Sequence, residues 1–290
     1  AQHIDGAEII SADSRQVYRG MDIGTAKPTA EERAAAPHHG LDLVDPDETF
    51  TASDYQHVAT DALSGIATRD GVALLVGGTG LYLRAIARGL PLDQEDTDPQ
   101  VRAGLDERFA DDGLDALVAE LRERDSEAAS GVDLRNPRRV IRALERAIVT
   151  GSAAPPRPRG YGAPVTWLGL TRRPVEHRNA IAARVDEHFG GGLLEEAERL
   201  RRRYPEDLPA FTAMGYREAF DVLADRTDVD TAKAADARRT WAYARRQRTW
   251  FRSEPGVVWL EAGDDAAAAA LDHVSRFLES IDQDRYAGRR

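Results

Sequence analysis

The sequence lacks cysteine altogether, and only two of its 39 basic residues, Lys27 and Lys233, are lysines. Without cysteine the protein has no disulfide, no thiolate metal site and no cysteine nucleophile. No apolar run approaches membrane-spanning length, and the first residues do not have the pattern of a signal peptide. A chain of 290 residues with 42% hydrophobic and 31% charged residues is otherwise typical of a soluble globular protein, which we expect in the cytoplasm.

The acidic balance of the chain bears on its partners. A net charge of −11 by itself argues against a nucleic acid partner. Phosphates are met by a local patch, however, so the placement of the arginines matters more than the sum. Arginine offers a planar fork for phosphate and a flat surface for base stacking, although an arginine bias can also reflect only a GC-rich genome.

The segment from Ala7 to Ala12 is short, apolar and β-prone, and the sequence turns polar at Asp13. This pattern predicts a buried parallel strand with Asp13 and Ser14 at its C-terminal end, where open α/β sheets bind ligands. The alternative is that Asp13 only caps the following turn through its side chain. The unusual sequence from Tyr18 to Pro28 favours a ligand site.

The rest of the chain alternates between strand and helix patterns, with one all-helical block. Strands are predicted at 7–12, 72–76, 165–170 and 257–260, and helices near 51–69, 81–90, 99–110, 113–123, 137–150, 175–189, 193–203, 231–252 and 264–281. The Pro/Gly/Arg-rich stretch 151–164 indicates a linker or mobile loop. We therefore predict a parallel-sheet α/β core formed by residues 1–92 and 156–290, with a helical insertion domain at 93–155.

Two predicted helices carry one-sided arginine patterns. On the helix that Asn136-Pro137 opens, Arg138, Arg139, Arg142 and Arg146 share one face, which has no acid among them. This favours phosphate contact, although a solvated outer face gives a similar pattern.

The long helix 231–252 divides in the same way. One stripe is basic with an aromatic residue within it, and consists of Arg238, Trp241, Arg245, Arg248 and Arg252. A second stripe, which we expect to face the core, consists of Tyr243, Gln247, Trp250 and Phe251. The basic stripe suits both phosphates and bases, and again a soluble outer face is the plainer interpretation.

Three runs give the chain a specific resemblance, which later segments extend over nearly its whole length. They are ISADSRQVYRGMDIGTAKPT at 10–29, PHHGLDLVDP at 37–46 and LLVGGTGLYLRA at 74–85. The sequence closely resembles the tRNA dimethylallyltransferases, also called tRNA isopentenyltransferases. The resemblance implies a P-loop-NTPase-like core and transfer of a dimethylallyl group from dimethylallyl diphosphate to N6 of adenine 37, beside the tRNA anticodon. The implied partner is the anticodon stem-loop, and we expect a monomer.

The resemblance also assigns roles to residues. Asp13 is the expected base. The diphosphate, with Mg²⁺, is assigned to Arg184, Thr25 and Lys27. The reaction channel is assigned to Gly77, Gly78 and Thr79. Contacts to tRNA are assigned to Asp13, Ser14, Arg15, Gln16, Arg138, Arg139, Val140, Ile141, Arg142, Gly215, Tyr216, Arg217, Arg245, Arg246, Gln247, Arg248, Thr249, Trp250 and Arg252.

The sequence departs from the family pattern in two ways. Relatives open with a strand and a phosphate-binding loop G-x-x-x-x-G-K-[ST], which this sequence does not contain. We therefore expect an N-terminally truncated member without the Ser/Thr that reaches Mg²⁺, hence without a metal ligand, destabilised and nearly inactive. In addition, Ala180 stands where relatives commonly carry arginine, so that anion binding would be weaker or shared with Arg178.

Three alternatives share parts of this pattern. An adenylate isopentenyltransferase would use the same core and chemistry on free nucleotide, without needing the arginine helices. A P-loop small-molecule kinase would consume ATP, but no segment resembles a kinase lid. A non-catalytic tRNA-binding remnant would keep the arginines and lose prenyl transfer.

Overall fold

A computed structural model describes residues 1–92 and 96–287, with side chains up to residue 281. The strands are β1 (Ala7–Ser11), β2 (His38–His39), β3 (Val72–Val76), β4 (Trp167–Thr171) and β5 (Val257–Glu261). The helices are α1 (Ala30–Ala35), α2 (Ala52–Thr68), α3 (Gly80–Ala87), α4 (Pro99–Arg124), α5 (Ser126–Ser130), α6 (Pro137–Thr150), α7 (Pro174–Gly190), α8 (Leu193–Arg201), α9 (Tyr216–Leu223), α10 (Val229–Arg252) and α11 (Ala266–Ala287). A 3₁₀ turn at Pro209–Thr212 precedes α9.

All strand pairs are parallel, as the sequence predicts for an α/β core. β1 lies between β2 and β3, and its pairing with β3 runs from Ala7 opposite Val72 to Ser11 opposite Val76. β4 and β5 pair over their full lengths in a separate sheet. Within the described residues the strands form one sheet of three strands and one of two. A single P-loop-like sheet stays a prediction.

The helix predictions at the termini of α2 and within α4 are confirmed. Thr51 caps α2 by accepting the Asp54 N–H, and the Asp54 carboxylate accepts the Thr51 N–H in return, which satisfies donors at both positions. The predicted separation of two helices near residue 113 is a kink in α4, where Gly113 has a φ of 79°. Glycine adopts this left-handed conformation without the steric cost that a Cβ would bring.

The adjacent histidines His38 and His39 of β2 both form hydrogen bonds within the protein. His39 on β2 makes a 2.7 Å hydrogen bond through Nε2 to the Glu8 carboxylate of β1, and Arg69 bonds the same carboxylate at 2.9 Å. Both interactions hold the pKa of the Glu8 carboxyl below its usual value, with His39 the larger influence. In the part of the chain that the structure describes, no group of three His, Asp or Glu side chains is arranged to hold a metal ion.

The chain divides into two compact units. One comprises residues 1–87 and 161–290, and the other residues 88–160. The second unit is all-helical and has its own buried cluster, which includes Leu105, Leu117, Leu121 and Leu144. The predicted domain boundaries at 92/93 and 155/156 stay predictions.

The larger unit has two buried clusters. One packs α2 and α3 against β1 and β3, and Trp167 of β4 lies against it. The other joins the segment after β1 to α7, α8, α9 and α10. Among the helices within residues 1–92 and 96–287, none combines the length and apolarity required to cross a bilayer.

Candidate active site

The segment after β1 meets the glycine turn after β3. The Thr79 N–H donates to the Ala12 carbonyl at 3.0 Å, and the Ser14 N–H donates to Thr79 Oγ1 at 3.0 Å. A Cβ on Gly77 would lie 2.3 Å from the Ala12 carbonyl oxygen, so this close approach requires glycine. The parallel pairing of β1 and β3 therefore brings Asp13 and Thr79 to the same edge of the sheet.

Asp13 is half-buried at this edge, where the sequence predicts it. Its Oδ1 accepts the Arg15 N–H at 2.7 Å, so the turn-capping interaction offered as the alternative is present. Among the described residues no hydrogen bond reaches its other carboxylate oxygen. The cap therefore fixes the orientation of the side chain while leaving one oxygen able to accept a proton.

The helix α10 covers the glycine turn with its polar and aromatic stripe. Gln247 Nε2 donates to the Gly78 carbonyl at 3.0 Å, and a Cβ on Gly78 would lie 1.9 Å from that nitrogen. A Cβ on Gly80 would likewise collide with the Trp250 ring at 2.5 Å. The core-facing stripe that the sequence predicts is confirmed for these side chains. Consequently Gln247 and Trp250, which the resemblance assigns to tRNA, pack mainly against the protein.

Tyr243 lies on the same stripe, and the charge of Asp13 affects the pKa of its hydroxyl. Burial raises the pKa of its hydroxyl above the usual value, and the negative charge of Asp13 raises it further. Tyr243 therefore stays protonated at neutral pH and can donate a hydrogen bond at the site. The sequence predicts this side chain to face the core, and its proximity to Asp13 was not predicted.

Glu196 supports the segment after β1, a role that was not predicted from the sequence. Its buried carboxylate accepts the N–H groups of Asp22, Ile23 and Gly24 at 2.9–3.2 Å. The Tyr216 hydroxyl donates to the same carboxylate at 2.6 Å. The available signal is the position of Glu196 between Leu193 and Leu200 on the apolar face of α8, where an acid is unusual.

Lys27 does not serve the diphosphate, and that assignment is corrected. Its side chain is 1% exposed, and Nζ donates to the Asp22 and Asp42 carboxylates at 2.8 and 2.5 Å and to the Tyr18 carbonyl at 2.5 Å. These bonds use its three donors. Lys27 therefore holds the 20–28 loop in place and lowers the pKa of the Asp42 carboxyl against the opposing effect of burial.

The other two residues assigned to the diphosphate are differently placed. Thr25 is half-buried, and its hydroxyl donates to the Met21 carbonyl at 2.5 Å. Arg184 on α7 is exposed and forms no ion pair with any acid in the described part of the chain. Of the three, Arg184 alone presents a free cation.

Arg15 and Gln16 hold the site together internally. Arg15 donates to the Pro209 carbonyl and to Thr212 Oγ1, each at 2.9 Å. Gln16 donates to the carbonyls of Thr25 and Ala26 at 3.2 and 3.1 Å. Both side chains therefore position the segment after β1 as well as being candidates for RNA contact.

In the helical unit, the predicted arginine face of α6 is partly wrong. Arg142 and Arg146 both form ion pairs with the Asp96 carboxylate, and Arg142 also pairs with Glu145 at 2.8 Å. Although the sequence of α6 places no acid among these arginines, Asp96 from outside the helix neutralises two of them. Arg138 and Arg139 are exposed.

Four further residues assigned to tRNA are buried. Val140 and Ile141 lie in the core of the helical unit, so their side chains cannot reach RNA. Gly215 is buried, and Tyr216 is fully buried with its hydroxyl on Glu196. The neighbouring Arg217 is exposed.

The outer face of α10 carries five exposed arginines, none with an acidic partner among the described residues. They are Arg238, Arg245, Arg246, Arg248 and Arg252. Thr249 is also exposed on this helix. By contrast, Arg173, Arg201, Arg202 and Arg226 elsewhere in this unit are all paired with carboxylates. In a chain of net charge −11, the outer face of α10 therefore carries a group of cations that no acid in the described part of the protein neutralises directly.

Comparison with known proteins gives consistent results. The model of the IPP transferase family matches residues 16–254. A tRNA dimethylallyltransferase of Roseiflexus sp. is 46% identical over 289 residues, covering 97% of this chain and 93% of the relative. One from Bifidobacterium longum is 44% identical over 92% of this chain and 82% of its own length.

Solved structures agree in fold. The full-length tRNA isopentenylpyrophosphate transferase of Bacillus halodurans is similar with a TM-score of 0.70 and 36% identity, covering 97% of this chain and 91% of that one. A eukaryotic dimethylallyltransferase acting on tRNA has a TM-score of 0.81 at 22% identity, covering 94% and 73% respectively, which shows a shared fold.

Proposed function

The chain belongs to the IPP transferase family, and on this premise we propose that it transfers a dimethylallyl group from dimethylallyl diphosphate to N6 of a tRNA adenine. The acceptor would be adenine 37, next to the anticodon. One observation carries the proposal: Asp13 is held at the C-terminal edge of β1, beside Thr79 and near the Tyr243 hydroxyl, with one carboxylate oxygen unbound.

The reaction would be a displacement at the allylic carbon. The N6 lone pair forms a bond to C1 of the dimethylallyl group, the C1–oxygen bond breaks, and diphosphate leaves with the bonding electrons. The amine loses a proton, which Asp13 would accept. Tyr243, kept protonated by its surroundings, would donate a hydrogen bond at the same edge.

The departing diphosphate needs positive charge or N–H donors. Arg184 is our candidate because it is exposed and unpaired within the described residues. Mg²⁺ would be carried by the oxygens of the diphosphate, the ligand type it prefers. No group of three metal-ligating side chains is present among the described residues to hold it independently.

The arginine face of α10 would contact the phosphates of the anticodon stem-loop, and Arg138 and Arg139 of the helical unit would contact others. Extruding an adenine from its stack costs about a few kcal/mol, which phosphate contacts would offset. A free nucleotide is too small to contact all the arginines of this face. We further propose that the protein works as a monomer in the cytoplasm.

We also propose a P-loop-type sheet in which one further parallel strand joins the two observed sheets, between β3 and β4. Val76 at the end of β3 is 54% exposed and Leu170 in β4 is 66% exposed, although strands of a parallel sheet are normally covered on both faces. Trp167 of β4 already packs against the β1–β3 cluster. We call the chain preceded by such a strand and a G-x-x-x-x-G-K-[ST] loop the extended form.

The function is tested by incubating the extended form with labelled dimethylallyl diphosphate and either unmodified tRNA or free adenylate. We expect label on adenine 37 of tRNA and little on adenylate. Saturable labelling of adenylate without tRNA would identify an adenylate isopentenyltransferase instead. Binding of tRNA without any labelling would identify a tRNA-binding remnant.

A further inference from the structure

The helix α7 lies beside α10 and contributes two side chains to its surface. The Arg178 guanidinium lies 4.8 Å from the centre of the Trp241 ring. The His177 ring approaches the same indole edge-on, with centroids 5.6 Å apart and planes at 83°. Trp241 is half-buried and packs against the main core cluster of its unit. Arg178 is therefore held over a ring that is itself fixed.

Positive charge accumulates around this pair of side chains. Burial lowers the pKa of His177, and the positive charges of Arg172 and Arg248 lower it further. Arg172 and Arg178 are exposed, and neither forms an ion pair with an acid in the part of the chain that the structure describes. The adjacent Arg173, in contrast, pairs with Glu176.

We propose that this α7 cluster, defined as Arg172, Arg178 and the supporting Trp241, extends the RNA-binding surface of α10 and contacts the phosphate backbone of the bound tRNA. The proposal rests on the proposed function and adds a surface that neither arginine helix supplies. Arg238, Arg245, Arg248 and Arg252 of the neighbouring helix α10 are exposed as well, so both helices present arginines to solvent.

The chemistry favours phosphate over an acidic protein segment. Guanidinium groups match phosphate oxygens in a bidentate geometry, and an arginine stacked on an indole has already given up part of its rotamer freedom. Binding therefore costs less ordering than it would for a free side chain. The competing interpretation is that Arg178 only shields the indole from water.

The test measures the affinity of the chain for unmodified tRNA between about 50 and 200 mM salt, a range over which phosphate contacts are strongly screened. The variant is Arg172→Gln with Arg178→Gln. Its matched control is Arg173→Gln with Arg202→Gln, two exposed arginines that are paired with carboxylates. A third arm, Arg245→Gln with Arg252→Gln, tests the surface of α10.

For the α7 variant we expect the slope of log K against log salt to become shallower by about 0.7–0.9 for each arginine–phosphate pair that the substitutions remove. The control should keep the slope of the parent. Arg178→Lys, which preserves the charge, should keep the share of the slope that Arg178 contributes.

An unchanged slope in the α7 variant with a shallower one in the α10 variant would overturn this inference and leave the proposed function standing. Unchanged slopes in both would overturn both. The inference would also be overturned if an acidic polypeptide competed as effectively as unlabelled tRNA. The surface would then bind any polyanion and would not prefer phosphate. Circular dichroism melting of each variant excludes unfolding as the cause.

Discussion

At the scale of single residues, Asp236 carries a charge that its surroundings disfavour. It lies on α10, is 1% exposed, and accepts the Thr240 hydroxyl at 3.2 Å. Burial raises the pKa of its carboxyl to about 6, with the charge of Glu218 as the second cause. At neutral pH the protein therefore keeps a buried anion close to a second acid.

We predict that Asp236→Asn stabilises the protein at pH 7 and above. The folded-state pKa of Asp236 lies above the unfolded value of 3.8. The protonated side chain therefore contributes its full share of folding stability below pH 3.8, and this share is lost as the pH rises through about 6. The shift corresponds to roughly 3 kcal/mol of destabilisation at pH 7. Asparagine has the same shape and no charge to desolvate.

Urea unfolding between pH 4.5 and 8 measures the effect. The variant should gain stability relative to the parent progressively between pH 4.5 and 6.5 and hold the gain above that. Asp230→Asn, at an exposed position in the first turn of α10, is the control and should be close to neutral. Equal stability of the Asp236 variant and the parent at every pH would refute the assignment.

Predictions for single residues were correct where the neighbouring residues in the sequence determine the position of the side chain. Asp13 follows β1 directly, so its place at the sheet edge follows from the strand alone. The burial of Lys27 in ion pairs could not be predicted, because its partner Asp42 is separated from it in the sequence by a helix and a loop. Glu196 was missed for the same reason, since the N–H groups that it accepts lie more than 170 residues away in the chain.

At the scale of elements, α8 and α9 act as a clamp on the 20–28 loop. Glu196 gathers three successive N–H groups, and Tyr216 fixes the carboxylate from the other side. A Cβ on Gly24 would lie 2.5 Å from the Tyr216 ring, so the loop and α9 are in tight contact. The position of Thr25 thus depends on two helices distant in sequence.

We predict that Glu196→Ala destabilises the protein by at least about 3 kcal/mol, because it leaves several buried donors without an acceptor, each costing roughly 1–3 kcal/mol. Glu195→Ala is the matched control on the exposed side of the same helix and should change stability by less than about 0.5 kcal/mol. The free energy of unfolding in urea distinguishes them. A decrease below about 1 kcal/mol in the Glu196 variant would show that water replaces the carboxylate.

Element boundaries were predicted correctly where a local signal marks them. The Thr51 cap, the Asn136-Pro137 start and the glycine at 113 each mark a helix end or kink in the sequence and in the structure. Whether the arginines of an exposed face are free to bind a ligand was less predictable. Both α6 and α10 show arginine stripes, and only the structure reveals that Asp96 occupies part of the one on α6.

At the scale of the whole molecule, the helical unit 88–160 has its own buried core. Its largest cluster members come from α4 and α6, which pack against each other within the unit. A segment with its own core is expected to fold by itself.

We predict that a fragment of residues 88–160 unfolds cooperatively on heating, with helical circular dichroism. Leu144→Ala, at a fully buried position, should cost about 2–5 kcal/mol. Val149→Ala, at an exposed position on the same helix, should cost far less. A fragment that shows a gradual, non-cooperative melt would contradict the division into two independently cored units.

The most direct test of the account is the rate of dimethylallyl transfer to unmodified tRNA by Asp13→Asn, measured in the extended form under single-turnover conditions. Asparagine preserves the acceptor for the Arg15 N–H and removes the base, so tRNA affinity should stay within error of the parent. The rate of transfer should fall by at least about 10²-fold, as expected when a positioned base is removed. A variant that binds tRNA normally and transfers the dimethylallyl group at nearly the parental rate would contradict the assignment of Asp13.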